Sequence, residues 1–271
     1  MFCYIISKIN INMNTISDII TNLKSIKFID IKKLPTQGYF YPKDFTLSIT
    51  KASSDDILLY NFNYIKDDMG VILQETKRII KNNIILSKGY QYEDLKSNDL
   101  LFIFFEIVKF TMNREILIPF DDIIGRVSYV SFSTDNFNYF NYKSMKCEYD
   151  EESREFIKYG YKFSLPSIGA ENCLVEYVFH FLENEDYYDK NDTKEFDYSF
   201  DFLFLLGNKN YLTKEEMDNL VIIFNEDLDE IEQSKISDIV KIIYPSIGYT
   251  LKAGNKTISL NMKVDFEKLF I

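Results

Sequence analysis

The sequence has no tryptophan, one histidine, three cysteines, five prolines and nine glycines. Each shortage removes a class of chemistry. The histidine, His180, lies in an alternating run and reads as a strand residue rather than as a base or a ligand. A zinc site needs three or four good ligands. Cys3, Cys147 and Cys173 are widely spaced and form no Cys-x-x-Cys pair. Neither a metal site nor a disulfide framework is expected, and a reducing compartment fits. The glycines form no Gly-x-x-x-x-Gly-Lys, Gly-x-Gly or Gly-x-Ser-x-Gly. That argues against a phosphate-binding loop and a nucleophile elbow.

Positive charge is also short. Lysine and arginine number 31 against 42 acids, for a net charge of −11. The best basic clusters, Lys32-Lys33 and Lys77-Arg78 with Lys81, are small. Binding a duplex or an anionic membrane requires clustered cations, so neither partner is expected. A soluble protein, or one that docks on a basic partner, suits this balance. No apolar run approaches the roughly 20 residues needed to cross a bilayer. The opening "MFCYIISKIN" lacks a basic leader and a small-residue cleavage site, so no signal peptide is expected. Met13 offers an alternative start, with residues 1–13 as an arm.

What is present is apolar and aromatic. The chain has 271 residues, 46% of them hydrophobic, enough for one large domain or two small ones. Phenylalanine (24) and tyrosine (20) are abundant, together with Ile, Asn and Lys. All five are encoded by AT-rich codons, so much of the aromatic content reads as genome bias.

Periodicity predicts an α+β chain in three blocks. The first, residues 14–115, is helical with one strand. Its helices are one carrying Ile16, Ile19, Ile20 and Leu23, one opening at Ser53-Ser54-Asp55-Asp56 and running through 57–65, an amphipathic one over 71–80, and one from about 98 to 110. The last is apolar nearly all round and belongs at the centre of the core. The strand is Phe45 to Thr50, with Phe45, Leu47 and Ile49 on one face. The second block, 116–164, reads as a β insert through "ILIPF", "VSYVSF", "MKCEY" and "FIKYGYKFSL". The third, 165–271, is a strand/helix block ending in a β-hairpin. "NCLVEYVFHFL" (172–182) alternates and predicts a strand, followed by a solvated acidic connection over 183–197 and an apolar segment from Phe200 to Leu206. Thr213 and Glu216 form a capping box, with Leu212 and Met217 as its hydrophobic staple. That helix should run to about Phe224. Another from about Asp229 to Ile243 should stop before Pro245. A hairpin turning at Ala253-Gly254-Asn255 follows.

Acidic side chains offer no obvious dyad. A calcium loop starting at Asp189 fails at its sixth and twelfth positions, which are Lys194 and Phe200. Asp55-Asp56, Asp67-Asp68 and Asp121-Asp122 are adjacent pairs, whose side chains point apart. No catalytic, cofactor-binding or metal residue is assigned. One device recurs instead: Leu34-Pro35-Thr36-Gln37-Gly38, Leu165-Pro166-Ser167-Ile168-Gly169 and Pro245-Ser246-Ile247-Gly248. Proline presets a turn and glycine can take positive φ to re-aim the chain, so each copy is expected to launch a strand.

The order of these features resembles one family. Leu34 to Gly38 is followed by Tyr41, a strand, Asp55-Asp56 and a helix. Then come Glu93-Asp94-Leu95, Asp99 with a long apolar helix, the second Leu-Pro-Ser-x-Gly, the late Pro-x-x-Gly and a closing segment from Phe266 to Phe270. Over roughly residues 32 to 271 this layout is similar to the baseplate-hub proteins of T-even-like tailed bacteriophages. Members carry Cys-x-x-Cys pairs after the long helix and near the C-terminus. Here Cys147 stands alone and the late turn has no cysteine, so both regions must be held by packing. The resemblance implies a non-enzymatic component of a phage tail baseplate or an assembly factor for it, assembled in the host cytoplasm and located in the virion. Its partners would be other tail and baseplate proteins, with no nucleic acid, membrane, small-molecule substrate or cofactor. The alternatives are an assembly chaperone or host-directed binding protein absent from the virion, and a carboxylate-based cell-wall hydrolase. Aromatic residues supply the interface candidates: Tyr39, Phe40 and Tyr41 in the first device, and Phe137, Tyr139, Phe140 and Tyr142 in "NFNYFNY". That segment carries aromatics on both faces, so something must cover the second.

Overall fold

The computed structural model describes residues 25–53, 55–56, 69–113, 117–121, 127–131, 137–143, 145–183, 211–223, 227–246, 248–253 and 256–260. The expected arm, the helices over 15–23 and 57–65, the acidic connection, the apolar segment at 200–206 and the closing phenylalanines lie outside these residues, apart from Glu183, which ends a described helix. The chain is mixed α+β, with helices and small antiparallel sheets.

Three short strands, β1 (Lys27–Ile29), β2 (Leu47–Ile49) and β3 (Ile84–Leu86), form one sheet with β2 in the middle. Alternation puts Ile29, Leu47 and Ile49 on the inner face. Helices α1 (Met69–Asn82) and α2 (Ser97–Met112) complete this first cluster. Ile79 and Ile80 enter it from α1, and Leu100, Ile103 and Ile107 from α2. Residues 55 and 56 are helical at the expected helix start, where the Asp56 amide donates to Ser53 Oγ and Ser53 Oγ donates to the Asp56 carboxylate.

The expected β insert is present as strands. They are β4 (Leu117–Asp121), β5 (Val127–Ser131), β6 (Phe137–Asn138), β7 (Glu148–Asp150), β8 (Glu155–Lys158) and β9 (Tyr161–Phe163). β4 pairs with β5, and β7, β8 and β9 form a meander. Tyr159 and Gly160 both have positive φ, the geometry of a two-residue hairpin turn. The insert is not closed on itself. β6 pairs with β10 (Gly248–Ala253), which pairs with β11 (Lys256–Leu260) in the expected C-terminal hairpin.

The meander region is held by aromatic packing. The Phe156 ring is fully buried, and the rings of Phe40, Phe140 and Tyr149 lie 5.1, 4.8 and 4.7 Å from it. Cys147 is buried in the same cluster.

The first block carries three strands where one was expected, because β1 and β3 pair with β2, and two further expectations are corrected. Residues 172–182 are not a strand but part of helix α3 (Ile168–Glu183). Apolar residues that alternate also satisfy a helical stripe when the run is apolar nearly all round. Here Ala170, Leu174 and Tyr177, spaced by four and three, are the buried set. Leu212 and Met217 pack on them at the start of α4 (Lys214–Ile222), whose capping box between Thr213 and Glu216 is formed as expected. The second correction concerns Pro245. Helix α5 (Glu230–Ser246) includes that proline in its last turn instead of stopping before it.

Phe156→Ala removes the ring around which the aromatic cluster packs. It should cost about 3–5 kcal/mol in chemical denaturation, whereas Thr213→Ala should cost about 1 kcal/mol.

Candidate functional site

The three copies of the proline device do three different jobs. In the first, Gln37 and Gly38 both take positive φ, and the Gln37 amide donates to the Leu34 carbonyl at 2.7 Å. This is a tight reversal, and glycine is favoured because a side chain at φ +74° is strained and its Cβ would stand 3.2 Å from Ile31 Cγ1. In the second, Ser167 caps α3, accepting from the Ala170 amide at 3.2 Å, and Gly169 is helical. No strand follows, contrary to expectation. The third ends α5, and β10 begins at Gly248.

The first two copies nevertheless converge on the same five residues, Leu95 to Asp99, at the start of α2. Asp99 is fully buried. Its Oδ1 accepts from the Thr36 amide at 3.0 Å, and its Oδ2 accepts from the Thr36 hydroxyl at 2.8 Å and the Tyr41 hydroxyl at 2.7 Å. The Tyr41 oxygen in turn accepts from the Lys96 amide at 3.0 Å. On the other side, Lys96 and Ser167 form an isolated antiparallel bridge. The Ile168 amide donates to the Leu95 carbonyl, and Lys96 Nζ donates to the Leu165 carbonyl, both at 2.8 Å. The Ser97 hydroxyl donates to Glu171 on α3 at 2.6 Å. A single stretch thus clamps the first device and the second together.

Burial governs the electrostatics of this joint. It pushes the Asp99 carboxyl up to about 6, although the hydrogen bonds from Tyr41 and Thr36 and the Lys96 charge pull the other way. Burial raises Glu171 to about 7, opposed by Ser97, Lys77 and Lys96. It lowers Lys96 to about 8, opposed by Asp99, Asp94 and Glu171. The Tyr41 phenol is pushed well above its ordinary value by burial and by Asp99. Chemically, Asp99 is not a free base, because three donors from the chain itself already occupy its two oxygens. The arrangement is suited to holding segments together.

The aromatic interface candidates lie mostly inside the chain. Phe40, Tyr41, Phe137 and Phe140 are buried, and Tyr39, Tyr139 and Tyr142 are half-buried against the two main clusters. The second face of "NFNYFNY" is covered from within. Phe137 packs on Phe102 of the first cluster, while Phe140 enters the aromatic cluster. The Phe140 amide donates to the Pro35 carbonyl at 2.8 Å, and Gln37 Nε2 donates to the Phe140 carbonyl at 2.8 Å. Among the described residues no three His, Cys, Asp or Glu side chains gather as a metal site. No helix of the described residues is long and apolar enough to cross a membrane.

Sequence reasoning singled out Asp99 only as part of a layout and missed Lys96, Ser97 and Glu171. The available signal was a lysine and an acid at the mouth of an otherwise apolar helix, a placement that demands partners. No protein-family model matches this chain, and no curated protein or solved structure matches it at a significant level.

Tyr41→Phe removes one donor to Asp99 and the acceptor of the Lys96 amide, and should cost about 1–3 kcal/mol in denaturant unfolding. Asp99→Leu, which strands three donors, should cost more. The pH dependence has a definite sign. Asp99 and Glu171 have folded values above their unfolded 3.8 and 4.5. Their contribution to stability is therefore complete below about pH 4 and is lost as pH rises through about 6 to 7. Lys96, depressed from 10.5 to about 8, works oppositely and loses its contribution as pH falls through about 8. Unfolding free energy should therefore fall between about pH 4 and pH 7, and Asp99→Asn with Glu171→Gln should flatten that slope.

Proposed function

We propose that this chain is a non-enzymatic component of a tailed-phage baseplate, or a factor in its assembly, acting through protein–protein contacts. It would be assembled in the host cytoplasm and located in the virion at the tail baseplate, among other tail proteins. One observation carries the reading. The residues whose order resembles the baseplate-hub proteins also meet in space: Thr36 and Tyr41 of the first motif on Asp99, and Leu165 and Ser167 of the second motif on Lys96. The chemistry of that joint suits a frame better than a reaction, because its carboxylates and its lysine are spent on intramolecular bonds.

The test is quantitative mass spectrometry of purified virus particles beside infected-cell lysate. The expected result is a few fixed copies per particle. A chain abundant in lysate but missing from particles would make it an assembly factor or host-directed protein instead of a subunit. Cell-wall lysis by the purified chain, abolished by substituting an acid, would overturn the non-enzymatic reading.

A further inference from the structure

Three large apolar side chains stand in solvent where α4 meets α5. Ile222 and Ile223 close α4 and are 48% and 45% exposed, and Ile231 in the first turn of α5 is 68% exposed. The Leu228 amide donates to the Ile223 carbonyl at 3.0 Å, which brings the end of α4 beside the start of α5. Helix α5 has already used its inward face. Ile239 and Val240 enter the aromatic cluster, and Ile236 is buried with Leu228 and Tyr161 against it. Ile231 is not on that stripe, and Ser234 and Asp238, at helical spacing from it, are exposed as well.

The surroundings are strongly acidic. From 214 to 232 the described residues include Glu215, Glu216, Asp218, Asp227, Asp229, Glu230 and Glu232 against Lys214 alone. Some of these acids have structural work. Asp229 accepts from the Ile231 and Glu232 amides and so caps α5, and Glu232 accepts from Tyr161 and pairs with Lys235. Asp227 and Glu230 are exposed beside the isoleucines.

Charge selects what could sit there. A second copy of this chain brings a net charge of −11 and the same acidic rim. The chain's own residues 183–197 carry Glu183, Glu185, Asp186, Asp189, Asp192, Glu195 and Asp197 against Lys190 and Lys194. Nucleic acid and anionic lipid are also negative, and like charges at close range repel. A protein segment with lysine or arginine flanking an apolar stripe complements both features. We propose that the α4–α5 junction is a docking surface for a basic amphipathic segment of a partner protein. Its apolar stripe would lie on Ile222, Ile223 and Ile231, and its cations would face Asp227 and Glu230. This surface does not depend on whether the chain resides in a particle.

The probe is a fluorescently labelled Leu/Lys amphipathic peptide of about four helical turns, titrated with the full chain at physiological salt and followed by anisotropy. A Leu/Glu peptide of the same length is the control. The Leu/Lys peptide should bind. The triple variant Ile222→Ser, Ile223→Ser, Ile231→Ser should weaken binding by at least ~10-fold. Asp227→Asn with Glu230→Gln should weaken it several-fold and flatten its salt dependence. The melting temperature of the triple variant should match that of the parent. The proposal is overturned if the Leu/Lys peptide does not bind, if it binds the triple variant as well as the parent, or if the Leu/Glu peptide binds equally. A large drop in the melting temperature of the triple variant also overturns it, because the isoleucines would then be packed by the chain itself. So does a concentration-dependent dimer abolished by the same substitutions, which would assign the surface to a second copy.

Discussion

The carboxylate of Asp99 is the constraint on which the rest of the architecture depends. An ionised group out of contact with water is tolerable only when its oxygens are met by donors. Here the donors are the amide and hydroxyl of Thr36 and the hydroxyl of Tyr41. Meeting that demand fixes the first proline turn against α2. Lys96, the neighbour in sequence, makes the corresponding demand on Leu165. The start of α2 lacks a side-chain cap on its N-cap residue, but Asp99 sits in its first turn, where a negative charge is favoured by the helix dipole.

Around this joint the chain builds separate clusters and stitches them. The first mixes aliphatic and aromatic side chains, between the β1–β3 sheet and helices α1 and α2. The second is aromatic and centred on Phe156. Phe137 and Phe140, three residues apart, belong to different clusters, so the short segment between them couples the two. The abundance of phenylalanine and tyrosine has thus been put to use inside the molecule, whatever its genomic origin.

Legibility followed the physics of each element. Elements specified by local signals could be read directly: the capping box at Thr213, the strands of the insert, the central helix beginning near Asn98 and the terminal hairpin. Residues 172–182 could not, because an apolar run with alternating aromatics satisfies two periods, and the choice was made by Ser167 capping and by the packing of Ala170, Leu174 and Tyr177. The joint itself was the least legible. Its partners are separated in sequence by 55 to 74 residues, and no local pattern links a threonine in a turn to an aspartate at a distant helix start. The aromatic candidates were named correctly as residues needing cover, but the cover is intramolecular for Phe40, Tyr41, Phe137 and Phe140.

The clamp of Lys96 by Leu165 has a consequence for biosynthesis. A nascent chain emerges from its N-terminus, and domains generally fold as units during synthesis. The first turn, the β1–β3 sheet and α2 are all available by the time residue 112 has left the ribosome. Two contacts at the mouth of α2 come later, from Lys96 Nζ to the Leu165 carbonyl and from Ser97 to Glu171. Closure of the early half is therefore timed by the arrival of the later one.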